Sequence, residues 1–198
     1  MIMRRLSIFV EGAREKLFFD RILRPELENK YNYIEIIEYS QEKIKWEYIN
    51  DFIENIKSTD CGYKKIDPNW AYDYIFIADI DNSPCKTAKK EELRRKIPNL
   101  EQNKIIIVVK EIESWYLAGL DKEACEKLKI KCFENTDNIT KEDLKRIYAN
   151  LFGIPYESIE SIPREFYLDI IENYDIGIAK KKNKTFEYFC KEFSICNK

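Results

Sequence analysis

Short apolar runs alternate with amphipathic stretches through the first two thirds of the chain. LSIFV at 6–10, YNYIEIIEY at 31–39, YDYIFIAD at 72–79 and KIIIVVKEIE at 104–113 read as four strands. Their nearly unbroken apolar character is that of strands covered on both faces, as in a parallel sheet. Between them, AREKLFFDRILRPELEN at 13–29 carries Leu17, Phe18, Ile22 and Leu23 on one helical face. QEKIKWEYINDFIENIK at 41–57 places Ile44, Tyr48, Phe52 and Ile56 in a stripe at helical spacing. Ser83-Pro84 reads as an N-cap and a first-turn proline opening CKTAKKEELRRKI, which stops near Pro98. SWYLAGL at 114–120 turns back into helix.

Beyond Gly119 the strand signal disappears. Thr140 with Asp143 forms a capping box ahead of KEDLKRIYANLF, and Gly153 closes that helix. PREFYLDIIENY and KTFEYFCKEF add two more helices. The expected architecture is α/β, a Rossmann-like three-layer sandwich with a mainly parallel central sheet of about four strands and a helical C-terminal extension. The expected division is 1–118 for the α/β domain and 119–198 for the extension packed on it.

Composition narrows the chemistry. The chain has 198 residues, 44% hydrophobic and 35% charged, with a net charge of −2, so nucleic-acid binding would rest on local basic patches. It contains no histidine. Ser-His-Asp and Cys-His nucleophile systems are thereby excluded, with the usual His-bearing zinc sites. The cysteines at 61, 85, 125, 132, 190 and 196 form no Cys-x-x-Cys pair. With no signal-peptide pattern and no apolar run long enough for a membrane span, reduced thiols in a cytoplasmic protein are expected.

Ligands of open parallel sheets bind beyond the carboxyl ends of the strands. Acids stand at three such ends: Glu11 in FVEG, Asp79 and Asp81 in ADID, and Glu111 and Glu113 in VVKEIESW. Two carboxylates about 4 Å apart repel by roughly 4 kcal/mol at an effective dielectric near 20, and a hard divalent cation reverses that sign. In an extended segment Asp79 and Asp81 point the same way while Ile80 turns to the core. The competing structural reading makes each acid a cap, a turn residue or a solvated strand end.

Glu11-Gly12 after the first strand and Asp79-Ile80-Asp81 after the third resemble the motifs of the Toprim superfamily, over roughly residues 4–118. Glu15 falls where that family often has an acid, and KEIESWYLAG is similar to small standalone Toprim-like proteins related to OLD-type nucleases and to RloB. The resemblance implies a Mg²⁺- or Mn²⁺-dependent nuclease acting on DNA or RNA. It implies Glu11, Asp79, Asp81 and one of Glu111 or Glu113, with Glu113 favoured, as metal ligands, and Glu11 as ligand or general acid/base. The chain has no Gly-x-x-x-x-Gly-Lys, so an OLD-type ATPase would be a separately encoded partner.

Lys110, at the end of the fourth strand, is placed to touch a scissile phosphate, and Lys86, Lys89, Lys90 and Lys181 are candidates for binding a nucleic-acid backbone. The bland reading of these lysines is a solvated helix face or loop. A receiver-like phosphorylation site at Asp79 fits less well, because receivers carry paired acids after the first strand. A phosphatase of the haloacid-dehalogenase type would carry its Asp-x-Asp near the N-terminal strand, and a sugar-nucleotide transferase is cramped at this length. The alternative function is a non-catalytic Toprim-like scaffold that binds nucleic acid or an ATPase.

Overall fold

In the computed structural model, residues 2–40, 45–58 and 70–195 are described; Ile44, Cys61 and Cys196 fall outside them. Four strands form one all-parallel sheet: β1 (Met3–Val10), β2 (Tyr33–Glu38), β3 (Trp70–Asp79) and β4 (Ile105–Val108). Their spatial order is β2-β1-β3-β4. The chain steps outward from β1 to β2 on one side, then crosses β1 to lay down β3 and β4 on the other. The reversal of strand order therefore lies between β1 and β3. Pairing runs from Arg5↔Tyr33 to Val10↔Glu38 on one flank of β1 and from Met3↔Trp70 to Phe9↔Phe76 on the other.

Alternation along the strands sorts the apolar side chains to two faces. Phe9, Tyr74, Phe76, Ala78, Ile105 and Ile107 join one core cluster with Ile49 and Ile53 of α3 (Trp46–Ser58) and Leu93 of α4 (Lys86–Lys96). Leu6, Ile8, Val10, Ile75 and Ile77 occupy the alternate positions and are just as deeply buried. Right-handed crossovers put α3 and α4 on one face, because both connect strands in the same direction across the sheet. The segment between β1 and β2 runs the other way and so covers the second face. It comprises α1 (Ala13–Phe18), a π turn (Phe19–Leu23) and α2 (Arg24–Leu27), and buries Phe18, Phe19, Ile22, Leu23 and Leu27. The π turn comes just ahead of Pro25, whose ring cannot supply a helical N–H. Arg24 donates to the Ile34 carbonyl at 2.8 Å and fastens this segment to β2.

The stripe expected on α3 shifts by one position. Tyr48 is 56% exposed, whereas Ile49 and Ile53 are fully buried with Phe52 and Ile56 partly so. The start of α4 shifts as well. Cys85, not Ser83, is its N-cap and accepts from the Ala88 N–H through sulfur, while the Ser83 hydroxyl donates to Glu92.

The chain divides into two compact units, Met1–Ile107 and Val108–Lys198. The second is helical: α5 (Glu113–Ala118), α6 (Lys122–Leu128), α7 (Lys141–Phe152), α8 (Arg164–Glu172), α9 (Ile176–Lys182) and α10 (Lys184–Glu192). Every residue of α5 is buried. Trp115 donates to the Thr185 hydroxyl at 2.8 Å and meets Phe186 edge-on, and Tyr116 meets Tyr167 in the same way. Gly119 is required where α5 ends, since a Cβ there would sit 2.4 Å from the Tyr174 ring. The capping box of Thr140 with Asp143 and the left-handed Gly153 bound α7 as its sequence predicts.

Candidate active site at the carboxyl edge of the sheet

The register of β1 with β3 brings Glu11 and Asp79 to the same edge. Phe9 is opposite Phe76, so Glu11, just beyond β1, and Asp79, the last residue of β3, leave the sheet side by side. This is the point of strand reversal, where parallel sheets open a crevice for ligands. β2 ends there too. The Tyr39 N–H bonds to the Val10 carbonyl at 2.9 Å and the Ser40 N–H to that of Glu11 at 3.1 Å. The expectation that Glu11 neighbours the aspartate pair is met.

Tyr39 is the reference point of this edge. Its ring is buried against Phe76, with centroids 4.7 Å apart, and its hydroxyl donates to the Ile77 carbonyl at 3.0 Å. Burial pushes that hydroxyl well above its ordinary pKa, and the charges of Glu11, Asp79, Glu15 and Asp81 push it further. Four carboxylates from the ends of β1 and β3, and from the first turn of α1, thus act on one oxygen.

Each acid is held differently. Glu15 accepts from the Gly12 N–H at 3.0 Å and caps α1. Ile80 packs against the core cluster, as its position between the aspartates requires. Asp81 does not continue the strand. It takes φ 48°, a left-handed conformation that Asp tolerates better than most residues, so its direction comes from a turn and not from strand alternation.

Lys89 supplies a cation. It lies one turn into α4, only 7% exposed, with Nζ 2.5 Å from Asp81 Oδ2 and 3.7 Å from Glu92. Burial alone would lower its pKa; the bond to Asp81 and the charges of Asp81, Glu92 and Glu11 outweigh that and raise it. Glu92 is held below the ordinary carboxylate range, first by a 2.8 Å bond from Lys96, with Lys89 and Ser83 adding to it.

The remaining candidates are placed as follows. Lys86 is exposed on the first turn of α4, and Lys90 donates to the Gln102 carbonyl at 2.9 Å. Lys110, Glu111, Glu113 and Lys181 belong to the second unit. Lys110 is exposed at φ 68°, and this left-handed residue follows the end of β4, so the strand is shorter than its apolar run suggests. Glu111 accepts from the Lys141 N–H at the start of α7, a favourable place for a carboxylate beside a helix N-terminus. Glu113 is 2% exposed and accepts from the Tyr167 hydroxyl at 2.9 Å. Lys181 is exposed on α9.

Sequence reasoning missed Tyr39, Glu92 and Ser83. Tyr39 was in reach, because the alternation of IEIIEY puts it on the core face one step past β2. The pairing of Lys89 with Asp81 was not, since it depends on a left-handed turn.

Among the described residues no group of three or more His, Cys, Asp or Glu is arranged to hold a metal ion. The donors that meet at Tyr39 are nevertheless all hard carboxylate oxygens, the kind that suits Mg²⁺ or Mn²⁺, and they already draw in one buried cation. No family model matches the chain, and no curated protein or solved structure matches it significantly.

Proposed function

We infer that the first unit is a divalent-metal-dependent nuclease domain that hydrolyses phosphodiester bonds of DNA or RNA. The observation that carries this reading is the collection of Glu11, Asp79 and Asp81 around Tyr39 at the strand-reversal point. Those three residues would hold Mg²⁺ or Mn²⁺, which when bound lowers the pKa of its water and offsets charge on the phosphate. Glu11 is the base for the attacking water, because the chain has no histidine to take that part. The exposed Lys86, beside this edge on α4, neutralises a neighbouring phosphate of the strand. Tyr39 keeps its proton and can orient, but not ionise. A separately encoded ATPase is the partner this reading favours; no described helix is long and apolar enough to cross a membrane.

A second reading has its own observation. The Lys89–Asp81 pair already neutralises one of the three acids, as a scaffold that binds nucleic acid without cutting it would permit.

The deciding experiment is cleavage of plasmid, single-stranded DNA and RNA with Mg²⁺ or Mn²⁺ by the wild type and by Asp79→Ala. The expected loss in the variant is at least about a hundredfold, since even outer partners of a metal are worth up to that. Equal cutting by both proteins would assign the activity to a contaminant. Nucleic-acid retention with no cutting by the wild type would select the scaffold.

A further inference from the structure

The second unit contains a chemical feature unrelated to the acids. Cys125 lies on α6 and is 3% exposed. Lys129 ends that helix at φ 55°, and the Ile130 N–H returns to the Cys125 carbonyl at 3.0 Å, folding the chain back on itself. Cys132 follows, half-buried, and the two free thiols come within hydrogen-bonding reach of each other. On the far side of Cys132 is an ammonium: Lys182 Nζ is 3.5 Å from its sulfur and also donates to the Leu120 carbonyl. The Lys182 carbonyl in turn accepts from the Thr136 N–H at 2.9 Å, so this lysine ties α9 to the loop that carries Cys132 by both its ends.

We propose that Cys125 and Cys132 form a peroxide-responsive dithiol, with Cys132 as the attacking thiolate, Lys182 as its counter-ion and Cys125 as the resolving thiol.

The two sulfurs differ in the way such a pair requires. A neighbouring ammonium favours a thiolate, and partial exposure admits a small oxidant. Cys132 has both. Cys125 has neither: burial first, then Cys132, pushes its thiol up to about 12, so it waits in the protonated form. In the first step the Cys132 thiolate attacks one oxygen of hydrogen peroxide. An S–O bond forms, the O–O bond breaks, and the departing hydroxide takes up a proton as water. Cys132 is then a sulfenic acid. In the second step the Cys125 sulfur attacks that of Cys132 and gives up its proton. The S–S bond forms, the S–O bond breaks, and hydroxide leaves with that proton as a second water. Two thiols lose two electrons, and the peroxide gains them.

The test uses the full chain, exposed to hydrogen peroxide, quenched with an alkylating reagent and mapped by mass spectrometry. The expected product is a Cys125–Cys132 linkage, about 2 Da lighter than the dithiol and reversed by dithiothreitol. Lys182→Met slows its formation about fivefold, the order expected on removing one charge a few ångström from a half-solvated sulfur, and Lys182→Arg keeps the rate. Sulfinic acid at Cys132 with Cys125 still alkylated would overturn the pair. A linkage forming equally fast in Lys182→Met would overturn the role of the lysine.

Discussion

Around Tyr39, Glu11, Glu15, Asp79 and Asp81 act on one hydroxyl, and Asp81 is met by the buried ammonium of Lys89. In the second unit, Glu111 and Glu113 are instead met by neutral donors, a backbone N–H and the Tyr167 hydroxyl. Both groups of acids follow strands, and both read as candidate ligands in the sequence. Their surroundings separate them. A carboxylate bonded to a neutral donor and buried at 2% exposure contributes to the structure of its own unit. Several carboxylates within one another's field repel, and positive charge stabilises the cluster. The first arrangement can take a cation; the second already has what it needs.

The largest effect that would break this comparison is on stability. Glu113→Ala removes a buried acceptor and leaves the Tyr167 hydroxyl without its carboxylate, at a cost of about 2–3 kcal/mol, and Tyr167→Phe costs about 1 kcal/mol. Asp81→Asn, at a side chain 54% exposed, costs no more than about 1 kcal/mol. Urea denaturation of the three variants ranks them. If Glu113→Ala unfolds no more easily than Asp81→Asn, Glu113 is not a structural acid.

How much of this could be read in advance depends on how local the cause is. LSIFV, YIFIAD and IIIV are strands by apolar character alone, and the box of Thr140 with Asp143 needs only neighbours in sequence. The juxtaposition of Glu11 with Asp79 followed from strand ends and parallel pairing, which the apolar runs already imply. Asp81 and Glu113 were harder. The reasoning that aligned Asp81 with Asp79 assumed an extended backbone, and the left-handed turn at Asp81 removes that premise. Glu113 looked like a strand end because VVKEIE stays half apolar, yet the turn at Lys110 stops the strand and makes Glu113 the first residue of a helix. On α3 a count of four from Ile44 selected Tyr48, whereas burial follows Ile49 and Ile53. Tyrosine's polar end lets it stay outside, which a periodicity count does not weigh.

A sharper probe of the first region is the competition between Lys89 and a divalent ion. If Asp81 is a ligand, a metal must displace the ammonium that now neutralises it. Lys89→Met removes that competitor and should tighten Mn²⁺ binding about tenfold, equivalent to about 1.4 kcal/mol. Calorimetry or the spin signal of free Mn²⁺ reads this without any nucleic acid. Unchanged affinity would mean that Asp81 is no ligand; no binding by either protein would remove the metal site and with it the nuclease reading.

The smallest effect is a pH dependence, and its sign is fixed. The Tyr39 hydroxyl ordinarily ionises at 10.0, and the fold raises that value by burial and by the four carboxylates. Below 10.0 both folded and unfolded chains keep the proton, so stability owes nothing to pH through this group. Above it the unfolded chain releases a proton that the folded chain retains, and stability falls as pH rises. Lys89 acts in the same direction, its contribution present below 10.5 and lost as pH climbs through its raised folded value. Tyr39→Phe leaves Lys89 in place and removes only the hydroxyl's share. One proton contributes at most about 1.4 kcal/mol per pH unit, so between about pH 10 and 10.5 the variant should lose roughly 0.5 kcal/mol less than the wild type. Urea midpoints across that window measure the difference. Parallel curves would show that the hydroxyl does not feel the carboxylates, and the edge would no longer be one electrostatic unit.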